Sequence, residues 1–284
     1  MSLALLNIGC GRHFHPAWRN LDVVSRDPQV EACDLRRGLP APDNHYDMVY
    51  HSHVLEHLPP EQGAELIAEC RRVLKPGGIL RIVVPDLETT ARLYLQSLEA
   101  AWAATPVTRG AVPGTSHADL ALAQYEWFQL ELLDQMVRQQ SGGRMGPYLQ
   151  QATGDMRTFL EARLGREVQY ADSQTKTVGT SAAAAPRRSW RTRWARRCLR
   201  WLLGPDSLRW LAVGQFLDSG EVHRWMYDRL SLRHLCQTAG LIDFQICAAD
   251  QSSLPDYAQF QLDQVGGDVR KPDSIFVECR KPQG

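Results

Sequence analysis

The chain has 284 residues, and its 32 Lys and Arg balance its 32 Asp and Glu, so no global field draws it to nucleic acid or acidic lipid. No run of about eighteen residues is apolar and free of charge, and Met1 to Leu6 carries no basic lead before breaking at Asn7, so neither a membrane span nor a secretory leader is expected. Seven cysteines at irregular spacing, none in a Cys-x-x-Cys pair, point to free thiols in a reducing compartment rather than a structural zinc site. A cytoplasmic protein is the expectation, built as one large domain or as one domain with a sizeable insertion.

In chain order, Ala4 to Gly9 reads as a first strand running into the turn Gly9-Cys10-Gly11. Asn20 to Val24 reads as a second strand and Val30 to Asp34 as a short third. The turn-forming Pro42-Asp43-Asn44 introduces a fourth, Tyr46 to Tyr50. Pro60 to Leu74 has helical spacing, with Leu66, Ile67, Cys70, Val73 and Leu74 on one side. Pro76-Gly77-Gly78 is expected to end that helix and begin a buried strand, Ile79 to Val84, closed by Pro85-Asp86. Such alternation of short apolar strands with turns and helices marks a largely parallel sheet.

Residues 97–215 carry no strand signal. Leu120 to Val137 is helical, with Leu122, Trp127, Leu130, Leu133 and Met136 available for packing, and residues 173–186 read as a loose linker rich in Ser, Thr and Ala. The sheet pattern returns with a helix from Asp228 to Ala239 ended by Gly240, a strand from Ile242 to Ala248 and a last strand from Ser274 to Cys279. Three segments result: 1–96 as the first part of an α/β domain, 97–215 as a helical insertion, and 216–284 as the end of the α/β domain.

The glycine turn and the acidic residues have a chemical reading of their own. Glycines tolerate positive φ and let backbone approach a ligand closely. A carboxylate closing the next strand, Asp22, suits both hydroxyls of a ribose, and a second, Asp34, suits an adenine amine.

Leu-Asn-Ile-Gly-Cys-Gly, Asn-Leu-Asp, Tyr-Asp-Met-Val-Tyr-His-Ser-His-Val-Leu-Glu-His-Leu and Arg-Val-Leu-Lys-Pro-Gly-Gly-Ile-Leu-Arg-Ile-Val-Val-Pro-Asp follow in order. Together they resemble class I S-adenosylmethionine-dependent methyltransferases, and most of all the bacterial branch associated with polysaccharide and glycan biosynthesis. His223 to Asp228 and Arg270-Lys271-Pro272-Asp273-Ser274 are similar to closing motifs of that branch. The resemblance covers residues 4–95 and 218–282 and implies a Rossmann-like seven-stranded sheet, order 3-2-1-4-5-7-6 with strand 7 antiparallel. It implies S-adenosylmethionine as cofactor, with Gly9, Cys10 and Gly11 along its methionine and ribose, Asp22 on the ribose, Asp34 and Leu35 facing the adenine, and Ser52 and His53 near the sulfonium. Gly9 and Asp22 stand closer than in most relatives, so the first crossover helix should be very short or absent. The insertion is then the expected cover of the cofactor and selector of the acceptor.

Methyl transfer to oxygen is an in-line displacement in which the acceptor also loses a proton, so a base helps. His53 is the first candidate, with His57 and His223 as further catalytic candidates. The plain alternative is that Glu56 and His57 satisfy backbone groups at a helix start. No metal is expected in first place; the alternative places a divalent ion on His53, Glu56 and His57, with His223 added, as in some related O-methyltransferases.

Seven arginines between Arg187 and Arg200 interleave with Trp190, Trp194 and Trp201. On a helix these tryptophans share a stripe with Cys198 and Leu202, the pattern of an interfacial helix in residues 187–203 meeting an anionic membrane surface. Packing on the domain and binding to nucleic acid are the alternatives, and the zero net charge disfavours the latter. The function implied is O-methylation of a sugar or lipid-linked glycan. The alternatives are a quinone-like small molecule, RNA, or a non-catalytic cofactor-binding partner of a glycosyltransferase.

Overall fold

The computed structural model describes residues 3–104, 117–165 and 201–283, together with residues 168, 194, 197 and 198. Its centre is a seven-stranded sheet. In chain order the strands are β1 (Leu5–Ile8), β2 (Arg19–Asp22), β3 (Val30–Ala32), β4 (Tyr46–Ser52), β5 (Leu74–Pro85), β6 (Ile242–Cys247) and, after a two-stranded hairpin of β7 (Gln264–Val265) and β8 (Asp268–Val269), β9 (Ser274–Arg280). The order across the sheet is β3-β2-β1-β4-β5-β9-β6. β9 runs antiparallel to both of its neighbours, while the β1 to β5 pairings are all parallel. This is the expected Rossmann-like order of class I methyltransferases, with the hairpin added.

Side chains that alternate along the strands feed two cores. Leu6, Ile8, Val49, Leu80 and Ile82 face one way, against α1 (Pro60–Val73) through its buried Leu66, Ile67, Cys70 and Val73. The other face collects Leu5, Met48, Tyr50 and Val83 with the aromatic rings of Trp18, Tyr257 and Phe260. Strands buried on both faces need little alternation of polarity, and β5 accordingly reads as nearly continuous apolar sequence.

One local expectation is corrected. Lys75 to Gly78 do not form a break between helix and strand. Tyr46 pairs with Leu74 and Met48 with Ile79, so these residues bulge within β5, held by hydrogen bonds from Gly77 N to the Lys281 carbonyl and from Lys281 N to the Gly78 carbonyl. Between β1 and β2 there is no helix, only turns, as the short Gly9 to Asp22 spacing requires.

After β5, helix α2 (Leu87–Ala104) runs across residue 97 and packs on α3 (His117–Val137). With α4 (Met145–Gln151) and α5 (Gly154–Leu164) these enclose a separate core of Trp127, Phe128, Met156, Leu160 and Leu164. Leu122 and Leu133, expected to pack, are exposed instead, because the face α3 turns to α2 and α5 carries Trp127 and Phe128. Glu131 locks this core by accepting hydrogen bonds from Trp127, Thr90 and Arg163. Helix α6 (Ser207–Leu217) leads back to the sheet, and α7 (Arg229–Thr238) is opened by a capping box between Asp228 and Ser231.

Among the described residues no helix is long and apolar enough to cross a membrane. Of the Arg/Trp segment, Trp194, Trp201, Leu202 and Leu203 are described and exposed; Trp190 lies outside the described residues.

Candidate active site

The strand ends of β1, β2, β3 and β4 meet at two adjoining cavities. One, of about 390 Å³, is edged by Gly9, Asp22, Asp34, Leu35, His53 and His57, and closed from above by Leu217 to Gly220 and Arg224. The other, of about 190 Å³, is lined by Asn7, Gly9, Cys10, Gly11, Tyr50, Ser52, His53, Arg270 and Lys271, among others. Gly9 and His53 belong to both walls and mark where the two compartments join.

Local structure explains the glycine turn. Gly9 and Gly11 have φ of +64° and +57°, and a Cβ on Gly9 would overlap the Val54 side chain. Gly11 N donates to Asp22 Oδ2 at 2.8 Å, and Val24 N donates to Oδ1 at 3.2 Å, so the carboxylate closing β2 is oriented by backbone on both sides. Asp34 caps a single 3-10 turn, Leu35–Arg37, and bonds the Arg36 guanidinium, which holds its carboxyl below the usual range. Burial, helped by nearby Asp22, pushes the Cys10 thiol up to about 12, so it is an inert wall rather than a nucleophile.

Ser52 accepts a hydrogen bond from Arg270 Nη2 at 2.9 Å. His53, at φ +55°, stands immediately after β4. Its Nε2 is 2.8 Å from Ser274 Oγ and its Nδ1 is 3.1 Å from Glu56 Oε1. Burial, reinforced by Lys271 and Arg270, holds its pKa well below the ordinary value, so the ring is neutral near pH 7 with both nitrogens turned to protein groups. Of the plain alternative, His57 does meet a backbone group, at Val222, and Glu56 is acted on by its own backbone amide without a well-formed hydrogen bond. Glu56 is fully buried, and among the described residues neither carboxylate oxygen has a hydrogen-bond partner. His57 meets His223 edge to face, ring centroids 4.8 Å apart. His223 is brought there by its own segment, in which His223 N donates to the Gln135 carbonyl of α3 while Arg224 N and Trp225 N donate to the Glu56 carbonyl.

The structure thus gathers Gly9, Asp22, Asp34, Leu35, His53 and His57 around one cavity, and Cys10, Gly11 and Ser52 around the other; His223 lies behind His57. Sequence reasoning missed Val54, Arg36 and Arg224, and the residues at 217–220 that stand over the larger cavity. It also missed the site role of Arg270 and Lys271, although they sat in a motif already singled out.

A seven-stranded sheet of this order, with a glycine turn clasped by the carboxylate of the next strand, is the class I methyltransferase fold. Comparison with known proteins agrees over the first strands: residues 6–82 match the family described as a methyltransferase domain. The chain is 45% identical over 51 residues to a probable methyltransferase of Aspergillus luteorubrus, covering 18% of each chain. It is 40% identical over 68 residues to a probable S-adenosylmethionine-dependent methyltransferase of Mycolicibacterium smegmatis, covering 22% of this chain and 24% of that one. The chain therefore matches less than a quarter of the length of these curated relatives. A solved SAM-dependent methyltransferase from Archaeoglobus fulgidus is similar over 99% of this chain and 86% of its own, at 12% identity and a TM-score of 0.39. Over residues 6–82 the chain carries a methyltransferase domain, of the kind for which S-adenosylmethionine is the methyl donor.

Proposed function

We propose that the whole chain is an S-adenosylmethionine-dependent methyltransferase acting on an oxygen of a sugar or lipid-linked glycan. The observation that carries the transferase reading is the pair of cavities joined at Gly9 and His53. The larger has carboxylates at the ends of β2 and β3 for an adenosine, and the smaller offers polar groups with the cations Arg270 and Lys271. A donor with its adenosine in the first and its amino-acid tail in the second has its sulfonium at the junction, beside His53. Holding donor and acceptor in line is worth up to roughly 7–11 kcal/mol, which makes alignment the main source of rate here. His53 shapes that junction; for it to take the acceptor proton, its ring must first release Ser274 or Glu56.

The glycan reading is supported by the likeness of the 223–228 and 270–274 motifs to those of the polysaccharide-associated branch. Exposed Trp194, Trp201, Leu202 and Leu203 support a further part of the proposal, that residues 187–203 hold the protein at an anionic cytoplasmic leaflet, where lipid-linked sugars are found. The test is transfer of an isotope-labelled methyl group to nucleotide sugars and lipid-linked saccharides, alongside equilibrium binding of the cofactor. Asp22→Ala should lose both binding and transfer. A wild-type protein that binds no S-adenosylmethionine ends the transferase reading, while transfer confined to quinones or RNA ends only the glycan one. For the membrane part, Trp194→Ala with Trp201→Ala should release the protein from vesicles of anionic phospholipid; no vesicle binding at low salt overturns it.

A further inference from the structure

Glu56, His57 and His223 form a cluster that the methyl-transfer geometry leaves unused. One ligand atom from each lies within 4.8 Å of the others. Both Glu56 oxygens, His57 Nδ1 and His223 Nδ1 are buried without a hydrogen-bond partner. Four orphaned polar atoms in one place are costly, most of all where one group is an ionised carboxylate. Among the described residues, nearby protein groups make no well-formed hydrogen bond to them. The Lys271 ammonium acts on Glu56 electrostatically but leaves both oxygens unbonded, and His53 Nδ1 approaches Oε1 without a well-formed hydrogen bond. His57 has its backbone partner at Val222, which leaves Nδ1 as the nitrogen carrying the free lone pair. An imidazole oriented through one nitrogen, with the other bare, is the usual preparation of a metal ligand.

We propose that Glu56, His57 and His223 bind a divalent cation of the borderline class, with zinc as the best fit. Two imidazoles and one carboxylate suit zinc, cobalt or nickel better than magnesium, which prefers oxygen ligands and keeps its waters. Ligand distances of about 2.1 Å require donor atoms roughly 3.4–4.2 Å apart, so donors already within 4.8 Å of one another need only a short approach. Three protein ligands leave a coordination position open, and one of them, His57, lies in the wall of the larger cavity. Binding of the ion stands apart from the transferase reading. Only its use rests on that reading: an ion there lowers the pKa of a hydroxyl that reaches it, the help an oxygen acceptor needs.

The experiment uses the full chain stripped with a chelator and titrated with zinc, cobalt and magnesium chlorides by calorimetry, with cobalt absorption as a second readout. The expected result is one equivalent of zinc or cobalt bound at least 100-fold more tightly than magnesium, visible cobalt bands, and a higher Tm with zinc than without. Glu56→Gln and His223→Ala should each weaken binding at least 100-fold and abolish the Tm increase. Binding that survives unchanged in both variants places the ion elsewhere, on one of the seven thiols for instance, and overturns the proposal. So does a folded wild-type protein with no saturable zinc or cobalt binding, a result that needs no variant to fold. Cofactor affinity measured on the same stripped protein separates this failure from failure of the transferase reading.

Discussion

Arg81 and Asp263, 182 residues apart in the chain, meet in the core with Nε 2.7 Å from Oδ2 and both side chains essentially inaccessible to water. Arg81 also bonds Glu278 of β9, and Asp263 accepts from the hydroxyls of Tyr50 and Tyr257. Tyr50 OH in turn receives a long 3.4 Å hydrogen bond from Arg270. One buried charge network therefore runs from the middle of β5 to the guanidinium in the smaller cavity. Removing one member unbalances the buried charges, so Asp263→Leu should destabilise the fold by about 3–5 kcal/mol, while Arg81→Met with Asp263→Leu should cost less than the sum of the two single changes, Glu278 keeping its bonds from Ser252 and the Ser253 amide. Urea unfolding of the four proteins measures the difference.

The two glycines of the turn should respond unequally to alanine. Gly11 has positive φ with open space where a Cβ would go, so Gly11→Ala should cost only about 1 kcal/mol of backbone strain. Gly9→Ala adds a collision with Val54 and must displace the wall of the cofactor cavity. A greater than tenfold loss of S-adenosylhomocysteine affinity is expected for Gly9→Ala and less than threefold for Gly11→Ala, measured by calorimetry.

Among the described residues, the hydrogen-bond partners of Arg270 are the uncharged Ser52, Tyr50 and Leu262 carbonyl, although it is buried. Its charge is suited to the carboxylate of the cofactor's amino-acid tail. Arg270→Gln should weaken S-adenosylhomocysteine about tenfold and leave 5′-methylthioadenosine, which lacks that tail, nearly unaffected. Equal loss for both compounds would instead indicate a collapsed site.

His51 is fully buried in β4, both ring nitrogens lack partners, and burial lowers its pKa from 6.5 to about 4. The unfolded chain binds a proton there below pH 6.5 and the folded chain does not, so this residue's contribution to stability is intact above pH 6.5 and is lost as pH falls towards 4. At pH 5 the loss is about 2 kcal/mol relative to pH 8. His51→Leu should remove that part of the acid sensitivity, flattening stability against pH between 4 and 6.5 in denaturant titrations.

Much of this was legible in the sequence because it was local. The glycine turn, the carboxylates ending β2 and β3, and the shortened step from Gly9 to Asp22 all lie within the first 34 residues, and strand pairing keeps them together. What escaped was long-range. Val54 limits Gly9 from 45 positions away, and Arg81 reads as a blemish in an apolar strand until Asp263 and Glu278 are found opposite it. The bulge at Lys75 to Gly78 looked like a stop signal, since proline and glycines end helices. Only the pairing with Lys281 shows why the strand absorbs them. His223 could be suspected as a site residue, but its meeting with His57 depends on how α3 seats the intervening chain through Gln135.

The place of β9 has a practical consequence. It does not close the sheet at a rim but lies between β5 and β6, with Ser274 bonded to His53 at one end. Proteolysis or truncation ahead of residue 270 would thus split the molecule rather than trim it, baring two unpaired strand edges and withdrawing Arg270, Lys271 and Ser274 at once.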